Sequence, residues 1–445
     1  MLKMIYRSLF FGRRFYFLLM ITISLFVISF GVSIIYPVAR VTFVVLMILT
    51  LLDFALLFLR GEGIHVQRSL PDRFSNGERN RVSISLLNNF PFRISTITLD
   101  ELPVQFQIRN FRISEILLPK ERKNLEYHLR PVERGEYEFH NVNVFVKSPL
   151  KLIVRRYVVK SASKVKVFPS FQHLRKFELL AHASNVSESG TKRLRKIGRS
   201  LEFEQIKDYI FGDDIRNINW KATARRAQLM VNTFIDEKSQ SVYCVLDQSR
   251  LMKMPFNGMS LLNYAINATL VLSDVILTKR DRAGLISFSD RISNFLPADK
   301  KANQMSSILE ILYNLQTTFP EGDFERLHAF VKLRVSQRSL IVLFTNFESM
   351  GGLQRQLPFL KSIAKSHMLL VVFFENTGLK EISEKECADV EDVYMKTIAQ
   401  KFQYEKRLIV KELRKHGIAT LLTEPQNLTI ESVNKYLELK ARQAI

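Results

Sequence analysis

The chain has 445 residues, of which 47% are apolar and 24% charged, and a formal net charge of +22 at pH 7. This length predicts two or three domains. Two distant cysteines, Cys244 and Cys387, exclude a disulfide framework, and eight scattered histidines argue against histidine-based metal chemistry. The excess of cations suits nucleic acid, anionic lipid or an acidic partner surface.

Two apolar runs open the chain. Residues 16–36 carry no charge, and residues 41–59 carry only Asp53. Each run matches the ~20 residues that cross a bilayer, so residues 1–60 are predicted to form a transmembrane helical hairpin. Cations flank its outer ends while the loop carries only Arg40, which predicts two spans with both termini in the cytoplasm. Asp53 is interpreted as facing the other helix or the nearer interface, with a functional intramembrane acid as the alternative.

Residues 61–170 show short runs that alternate apolar and polar side chains. The runs are RVSISLLN, STITLDEL, VQFQIRNF and EYEFHNVNVFVKS, with turn residues between them. Period-two alternation over about a hundred residues predicts a β-sandwich-like domain. This segment contains no pair of groups suited to catalysis, and we interpret it as a spacer or interaction module.

Residues 171–226 are predicted to be a basic linker followed by a dense motif. Within the linker, the run TKRLRKIGR holds Lys192, Arg193, Arg195, Lys196 and Arg199. One interpretation is a patch that faces anionic lipid, and the other is a solvated loop. Nucleic-acid binding is disfavoured because no basic and aromatic recognition module accompanies the patch.

The dense motif, YIFGDDIRNINWKATARR, occupies residues 209–226 and holds the chain's single tryptophan. Asp213 or Asp214 can cap the helix that follows, and Asp213 can pair with Arg216. Trp220 is expected to be buried, which would make the motif a structural clasp. The alternative is a reactive site built on the two aspartates. The motif residues assigned to structure or interaction are Gly212, Asp213, Asp214, Arg216, Asn219, Trp220, Lys221 and Arg225.

Residues 227–445 alternate apolar strands with helices. The predicted strands are SVYCVLDQS, RAGLISFS, SLIVLFTN, HMLLVVFFEN and GIATLLTE, and a long charged helix is predicted over about residues 381–416. That order predicts an α/β domain with a doubly wound parallel sheet and helices on both faces. Functional residues are therefore expected just after the strands, at residues 247–251, 345–348 and 375–377.

The segment GRSLEFEQIKDYIFGDDIRNINWKATARRAQLMVNTF resembles the motif of the bacterial domain of unknown function family 58. Lys207 and Phe211 depart mildly from that motif. The matching residues are Glu202, Phe203, Tyr209, Gly212, Asp213, Asp214, Arg216, Ile218, Asn219, Trp220, Ala224 and Arg225. The resemblance implies a protein of the bacterial inner (cytoplasmic) membrane.

The C-terminal domain resembles a von Willebrand factor A-like domain. Such domains often hold magnesium through a D-x-S-x-S run, a threonine and a later aspartate. In the corresponding run DQSRL, Asp247 and Ser249 match, but Leu251 replaces a serine, and Asn346 stands where the aspartate is expected. A degraded Mg²⁺ site on Asp247, Ser249 and Glu348 is one alternative, and a metal-free protein-binding face is the other.

The resemblance implies an adaptor or scaffold that works with a MoxR-type AAA+ ATPase and other von Willebrand-type membrane proteins, in envelope assembly or stress tolerance. The sequence has no GxxxxGK[ST] phosphate-binding loop, so ATP hydrolysis would belong to the partner. We expect no enzymatic activity and no cofactor. The alternatives are a metal-dependent hydrolase that uses Asp213, Asp214 and Asp247, and an anionic-lipid binder.

Overall fold

The computed structural model describes residues 6–59, 61, 63–109, 111–170, 202–211, 213–235, 239–386 and 389–442. The chain divides into two compact units, Met1–Ser170 and Phe171–Ile445. The basic patch predicted at Lys192, Arg193, Arg195, Lys196 and Arg199 lies outside the described residues, as does Gly212 of the motif.

Two long apolar helices dominate the start of the first unit. Strand β1 spans Leu9–Phe11, helix α1 spans Arg13–Gly31, a 3-10 turn spans Ser33–Ile35, and helix α2 spans Tyr36–Phe58. Only 6% and 17% of their apolar windows are buried, so their large apolar side chains face outward. These apolar N-terminal helices indicate membrane association.

Among the described residues, three helices are long and apolar enough to cross a membrane. The third spans Leu261–Thr278, but 72% of its window is buried within the protein. Its apolar side chains belong to the core of the second unit, so this helix differs in its surroundings from α1 and α2.

The rest of the first unit is β-rich, as predicted. Three sheets, with strand orders β1-β10-β9-β5-β6, β3-β11-β8 and β2-β4-β7, surround one apolar core. The strands are β2 Ile64–Ser69, β3 Arg73–Ser75, β4 Asn80–Asn88, β5 Ile94–Asp100, β6 Ile113–Leu117, β7 Arg122–Leu129, β8 Gly135–Phe139, β9 Val142–Lys147, β10 Ile153–Val159 and β11 Ser163–Phe168. Within β4 and β9, apolar side chains alternate into the core, which explains the period-two pattern, whereas β5 buries Thr96, Thr98 and Asp100 and leaves Ile97 and Leu99 half-buried.

One predicted strand in this region is wrong. The run VQFQIRNF forms a 3-10 turn at Val104–Phe106, preceded by Pro103 and ended by Gln107 at a φ of 53°. Proline lacks the N–H that a strand would donate, and a left-handed residue breaks the extended backbone. Phe106 packs against the ring of Tyr137, with 5.0 Å between centroids.

The structure corrects the interpretation of Asp53. Its carboxylate is fully buried and accepts hydrogen bonds from the backbone N–H groups of Leu152 and Ile153 at 2.9 and 2.7 Å, and from the Ser148 hydroxyl. Asp53 therefore joins α2 to the β-rich region rather than to α1. Arg155 reinforces this junction by donating to the Leu57 carbonyl.

The first described part of the second unit is a small motif hairpin, defined as residues 202–211 and 213–235. Strand β12, Glu202–Asp208, pairs antiparallel with β13, Met230–Ile235. Between them lie a 3-10 turn at Ile215–Asn217 and helix α3 at Trp220–Arg226. The single helix predicted from Ile215 onward is therefore divided in two, and Asn219, not an aspartate, caps α3.

An α/β domain follows the motif hairpin. Its elements are β14 Ser241–Asp247, β15 Pro255–Phe256, β16 Met259–Ser260, α4 Leu261–Thr278, β17 Arg282–Phe288, β18 Ile292–Asp299, α5 Gln304–Asn314, α6 Phe324–Arg334, β19 Leu340–Phe344, α7 Met350–Ser366, β20 Met368–Phe374, α8 Thr377–Glu384, α9 Val390–Lys415, β21 Ala419–Thr423 and α10 Leu428–Ala441. The six-stranded order β18-β17-β14-β19-β20-β21 is that of a doubly wound sheet.

Helices cover both faces of this sheet, as predicted. One core packs α4, α5 and α10 against the sheet, and the other packs α6, α7 and α9 against the opposite face. Strand β14 is central, and its successive side chains enter the two cores alternately. Strand β18, which pairs antiparallel with β17, was not predicted; its burial is only partial, so it lacks the continuous apolar run of the parallel strands.

Replacing Asp53 by alanine is expected to destabilise the first unit by about 3 kcal/mol, because two buried N–H groups and one hydroxyl lose their acceptor. Thermal unfolding of the full chain in detergent measures the effect. Thr50→Ala is the matched control, since the Thr50 hydroxyl bonds only to Met47 of its own helix. Equal melting temperatures for the two variants would contradict the role assigned to Asp53.

Candidate functional site

The candidate site lies at the C-terminal ends of neighbouring parallel strands. We call it the strand-end site and define it as residues 247–251, 345–348 and 375–377. In the sheet register, Leu246 lies beside Phe344, and Phe344 lies beside Val372, so the three loops leave the sheet next to one another. This is the place where doubly wound sheets bind their ligands.

Asp247 links two of these loops. It is fully buried, and its Oδ1 accepts from the Ser249 backbone N–H at 2.8 Å while Oδ2 accepts from the Thr345 hydroxyl at 2.6 Å. Burial raises the pKa of Asp247, and these hydrogen bonds oppose that shift. The carboxylate therefore holds β14 and β19 in a fixed arrangement at their ends.

The segment before α6 packs closely against Asp247. A Cβ on Gly322 would lie 3.1 Å from the Ser249 Cβ and 3.4 Å from Asp247 Oδ1, so the glycine permits this close approach. Thr317 donates to the Gln248 carbonyl at 3.0 Å. Within the described part of the chain, the buried Ser249 hydroxyl has no hydrogen-bond partner of ordinary geometry, although it lies near enough to Asp247 to lower that group's pKa.

A cation completes the strand-end site. Lys406 of α9 donates from Nζ to Asn346 Oδ1 at 2.6 Å, and its ammonium lies 5.7 Å from the centroid of the Phe373 ring. The Asn346 amide reaches the Leu251 carbonyl at 3.5 Å. Burial lowers the pKa of Lys406 to about 8, while Glu348 and Glu375 oppose the shift.

The residues present do not fit the magnesium site suggested by the fold family. Both oxygens of Asp247 already accept hydrogen bonds, Leu251 offers no ligand, and the Glu348 side chain is exposed. The described residues contain no group of three histidine, cysteine, aspartate or glutamate side chains able to hold a metal ion. With Leu251 in place of a hydroxyl and the Asn346 amide in place of a carboxylate, this set offers a hard cation fewer oxygen ligands and less negative charge than the family pattern.

Sequence reasoning did not single out Lys406. It stands 60 positions from Asn346, within a helix rich in lysine and arginine, and no local motif distinguishes it from its neighbours. Only the packing of α9 beside the strand ends reveals the contact. The expectation that residues 345–348 lie at the site was the available signal.

The polar residues of the motif hairpin hold its own backbone. Asp213 pairs with Lys207 at 2.8 Å rather than with Arg216, and this pair lowers the pKa of Asp213. Asp214 accepts from the Arg216 backbone N–H at 3.0 Å, which caps the 3-10 turn. Asn219 accepts from the Ala222 N–H at 3.0 Å and caps α3. Asp213 and Asp214 therefore serve as local structural groups.

The expectation that Trp220 is buried is wrong. Its side chain is 69% exposed, beside a 68% exposed Ile215 and a fully exposed Phe211. A two-stranded hairpin has too little mass to bury both of its faces, and only Met230 and Val231 are buried among the described side chains of the motif. The exposed cations on this hairpin are Arg216, Lys221, Arg225 and Arg226.

One family model and one curated protein match parts of this chain. Residues 205–401 match the model described as "Protein of unknown function DUF58". The uncharacterized protein YeaD of Bacillus subtilis (strain 168) is 25% identical over 178 residues, which cover 39% of this chain and 44% of YeaD. The match thus spans less than half of that curated relative.

Two solved structures resemble the chain at low identity. BatB, a conserved hypothetical protein from Bacteroides thetaiotaomicron, is 14% identical with a TM-score of 0.31, covering 45% of this chain and 98% of BatB. The SpRpn10 VWA domain is 10% identical with a TM-score of 0.26, covering 43% of this chain and 92% of that domain.

The family model and the strand order agree with the resemblance read from the motif. The model covers most of the motif hairpin and the α/β domain as far as α9. The sheet carries one antiparallel edge strand beside five parallel strands, with helices on both faces. Residues 205–401 are therefore similar to the DUF58 family, and the sheet order agrees with the predicted von Willebrand factor A-like fold.

Proposed function

We propose that this chain is a membrane-anchored protein-interaction protein, an adaptor or scaffold, which docks a partner at the strand-end site. The supporting observation is the buried Asp247 carboxylate that ties the ends of β14 and β19 together. It fixes the loop that carries Asn346, whose side-chain oxygen accepts from Lys406. A rigid polar surface of this kind suits binding better than bond cleavage, so the chain itself is proposed to be no enzyme.

The two N-terminal apolar helices would anchor the protein in the membrane. Cations before the first apolar run and after the second favour two spans in a bacterial inner membrane, with both termini and the α/β domain in the cytoplasm. The Asp53 contacts would hold the β-rich region against the end of α2. That arrangement makes the β-rich region a spacer next to the membrane.

The proposed partner is a MoxR-type AAA+ ATPase, alone or with other von Willebrand-type membrane proteins, in envelope assembly or stress tolerance. The support is the family resemblance of the motif, together with the absence from the sequence of a phosphate-binding loop. A chain without its own ATPase would act as the adaptor or client of such a machine.

The hydrolase alternative has little support from the geometry. Asp213 and Asp214 are engaged by Lys207 and by the backbone of their own turn, and Asp247 is buried under its own hydrogen bonds. A metal-dependent hydrolase needs convergent oxygen ligands with an open coordination position.

Capture from native membranes tests the docking role. We expect the tagged full chain to recover an AAA+ ATPase, and the double variant Asp247→Ala, Asn346→Ala to lose it, because the variant removes both the support and the polar surface of the strand-end site. Quantitative mass spectrometry gives the readout. Equal recovery of the ATPase by both forms would exclude this site, and recovery of no protein partner by the wild type would remove the adaptor proposal.

The motif hairpin is proposed as a second contact surface, because its largest apolar groups are exposed. Trp220→Ala is expected to shift the unfolding free energy by no more than about 0.5 kcal/mol, yet to weaken partner recovery. Met230→Ala is the contrasting variant: Met230 is 3% exposed, so its truncation should cost about 2–5 kcal/mol. A large loss of stability in Trp220→Ala would restore the clasp interpretation.

A further inference from the structure

The disagreement between the strand-end site and a magnesium site points to a different cation. The corresponding D-x-S-x-S run keeps Asp247 and Ser249 but loses one hydroxyl at Leu251, and the later carboxylate is replaced by the Asn346 amide. These two changes remove oxygen ligands and negative charge together. At the same end of the sheet, the Lys406 ammonium donates to the oxygen of Asn346 at 2.6 Å.

Lys406 is incompletely satisfied where it stands. An ammonium has three donors, and within the described residues the hydrogen bond to Asn346 is its single polar contact, with no carboxylate at ion-pair distance. Its other neighbour is the face of the Phe373 ring. Glu348 and Glu375 lie near enough to favour the charged form without pairing with it. A partly exposed ammonium with one neutral acceptor among the described residues keeps donors available for an acidic group of a partner.

The position of α9 leaves room for such a group. The C-terminal half of the helix packs on the sheet through Ile409 and Leu413. In its N-terminal half, Val390 and Tyr394 are 87% and 68% exposed. Lys406 lies between these halves, and its side chain is only partly covered. A protein segment that contacts the exposed half of α9 would pass beside the ammonium.

We infer that Lys406, rather than a divalent metal, binds an acidic side chain of the protein partner at the strand-end site. A carboxylate complements both the charge and the two unused donors of the ammonium. An ammonium needs no ligand cage, so the loss of the hydroxyl at Leu251 and of a carboxylate at Asn346 carries no penalty for this mode. The inference rests on the proposed docking function and assigns the chemistry of the partner: an exposed aspartate or glutamate beside apolar groups.

The closing experiment compares three forms of the full chain, captured from native membranes: the wild type, Lys406→Met and Lys411→Ala. Methionine keeps the length of the side chain without the charge, and Lys411 is an exposed lysine in the half of the same helix that packs on the sheet. We expect Lys406→Met to weaken binding of the recovered partner by about thirtyfold, as when one member of an interfacial charge pair is lost. Lys411→Ala and chelation by EDTA should leave binding unchanged.

The outcomes separate the inference from the proposed function. A partner that binds Lys406→Met as well as the wild type, or that dissociates in EDTA, overturns the inference while docking stands. If the wild type recovers no partner, the proposed function fails and the inference fails with it. Thermal unfolding distinguishes a loss of partner binding from a loss of folding. Lys406→Met should unfold at the same or a higher temperature, because a partly desolvated cation has been removed.

Manganese alone provides an independent probe of the same inference. Mn²⁺ added to the purified full chain in detergent, followed by electron paramagnetic resonance, should show no stoichiometric binding that depends on Asp247. If one equivalent of Mn²⁺ binds to the wild type and none binds to Asp247→Ala, the strand-end site is a functional metal site. That result would overturn the inference that Lys406, rather than a metal, binds the partner.

Discussion

The α/β domain depends on one buried carboxylate. Asp247 follows the central strand, and its two oxygens accept from the loop of its own strand and from Thr345 after the neighbouring strand. Desolvating a carboxylate is costly, so the hydrogen bonds must be kept together for the arrangement to persist. Because Thr345 immediately precedes Asn346, the same contact that satisfies Asp247 also fixes the amide that holds Lys406. The residue that anchors the loop to Asp247 and the residue that binds Lys406 are therefore neighbours in the chain.

The first unit uses the same physical device at a different place. Asp53 lies near the end of an apolar helix and accepts two backbone N–H groups and a hydroxyl from the segment that leads into β10. In both units a buried aspartate saturates loop donors that no strand or helix would satisfy. Each aspartate thereby converts a loop into a fixed junction. A membrane-associated protein with rigid junctions can hold a surface in one geometry.

Patterns with one strong period were predictable. The uncharged runs, the alternating run of β4, and the continuous apolar strands of the sheet each follow from a local rule. The errors occur where tertiary packing decides. Strand β18 is too polar to read as a strand, Pro103 and Gln107 turn a good alternating run into a 3-10 turn, and Lys406 acquires meaning only from Asn346. The prediction that Trp220 is buried was wrong because tryptophan's general preference for burial takes no account of how small the core of a short hairpin is.

The motif that carries the family resemblance divides its residues between two tasks. Asp213, Asp214 and Asn219 are engaged locally, in an ion pair and two caps that hold the chain between β12 and β13. The exposed aromatic and cationic side chains of the motif hairpin take no part in these contacts. A motif selected for stability alone would bury its tryptophan, since that side chain contributes most when it is desolvated. The exposure of Trp220 does not fit a clasp that buries the tryptophan, and it is consistent with the proposed contact surface.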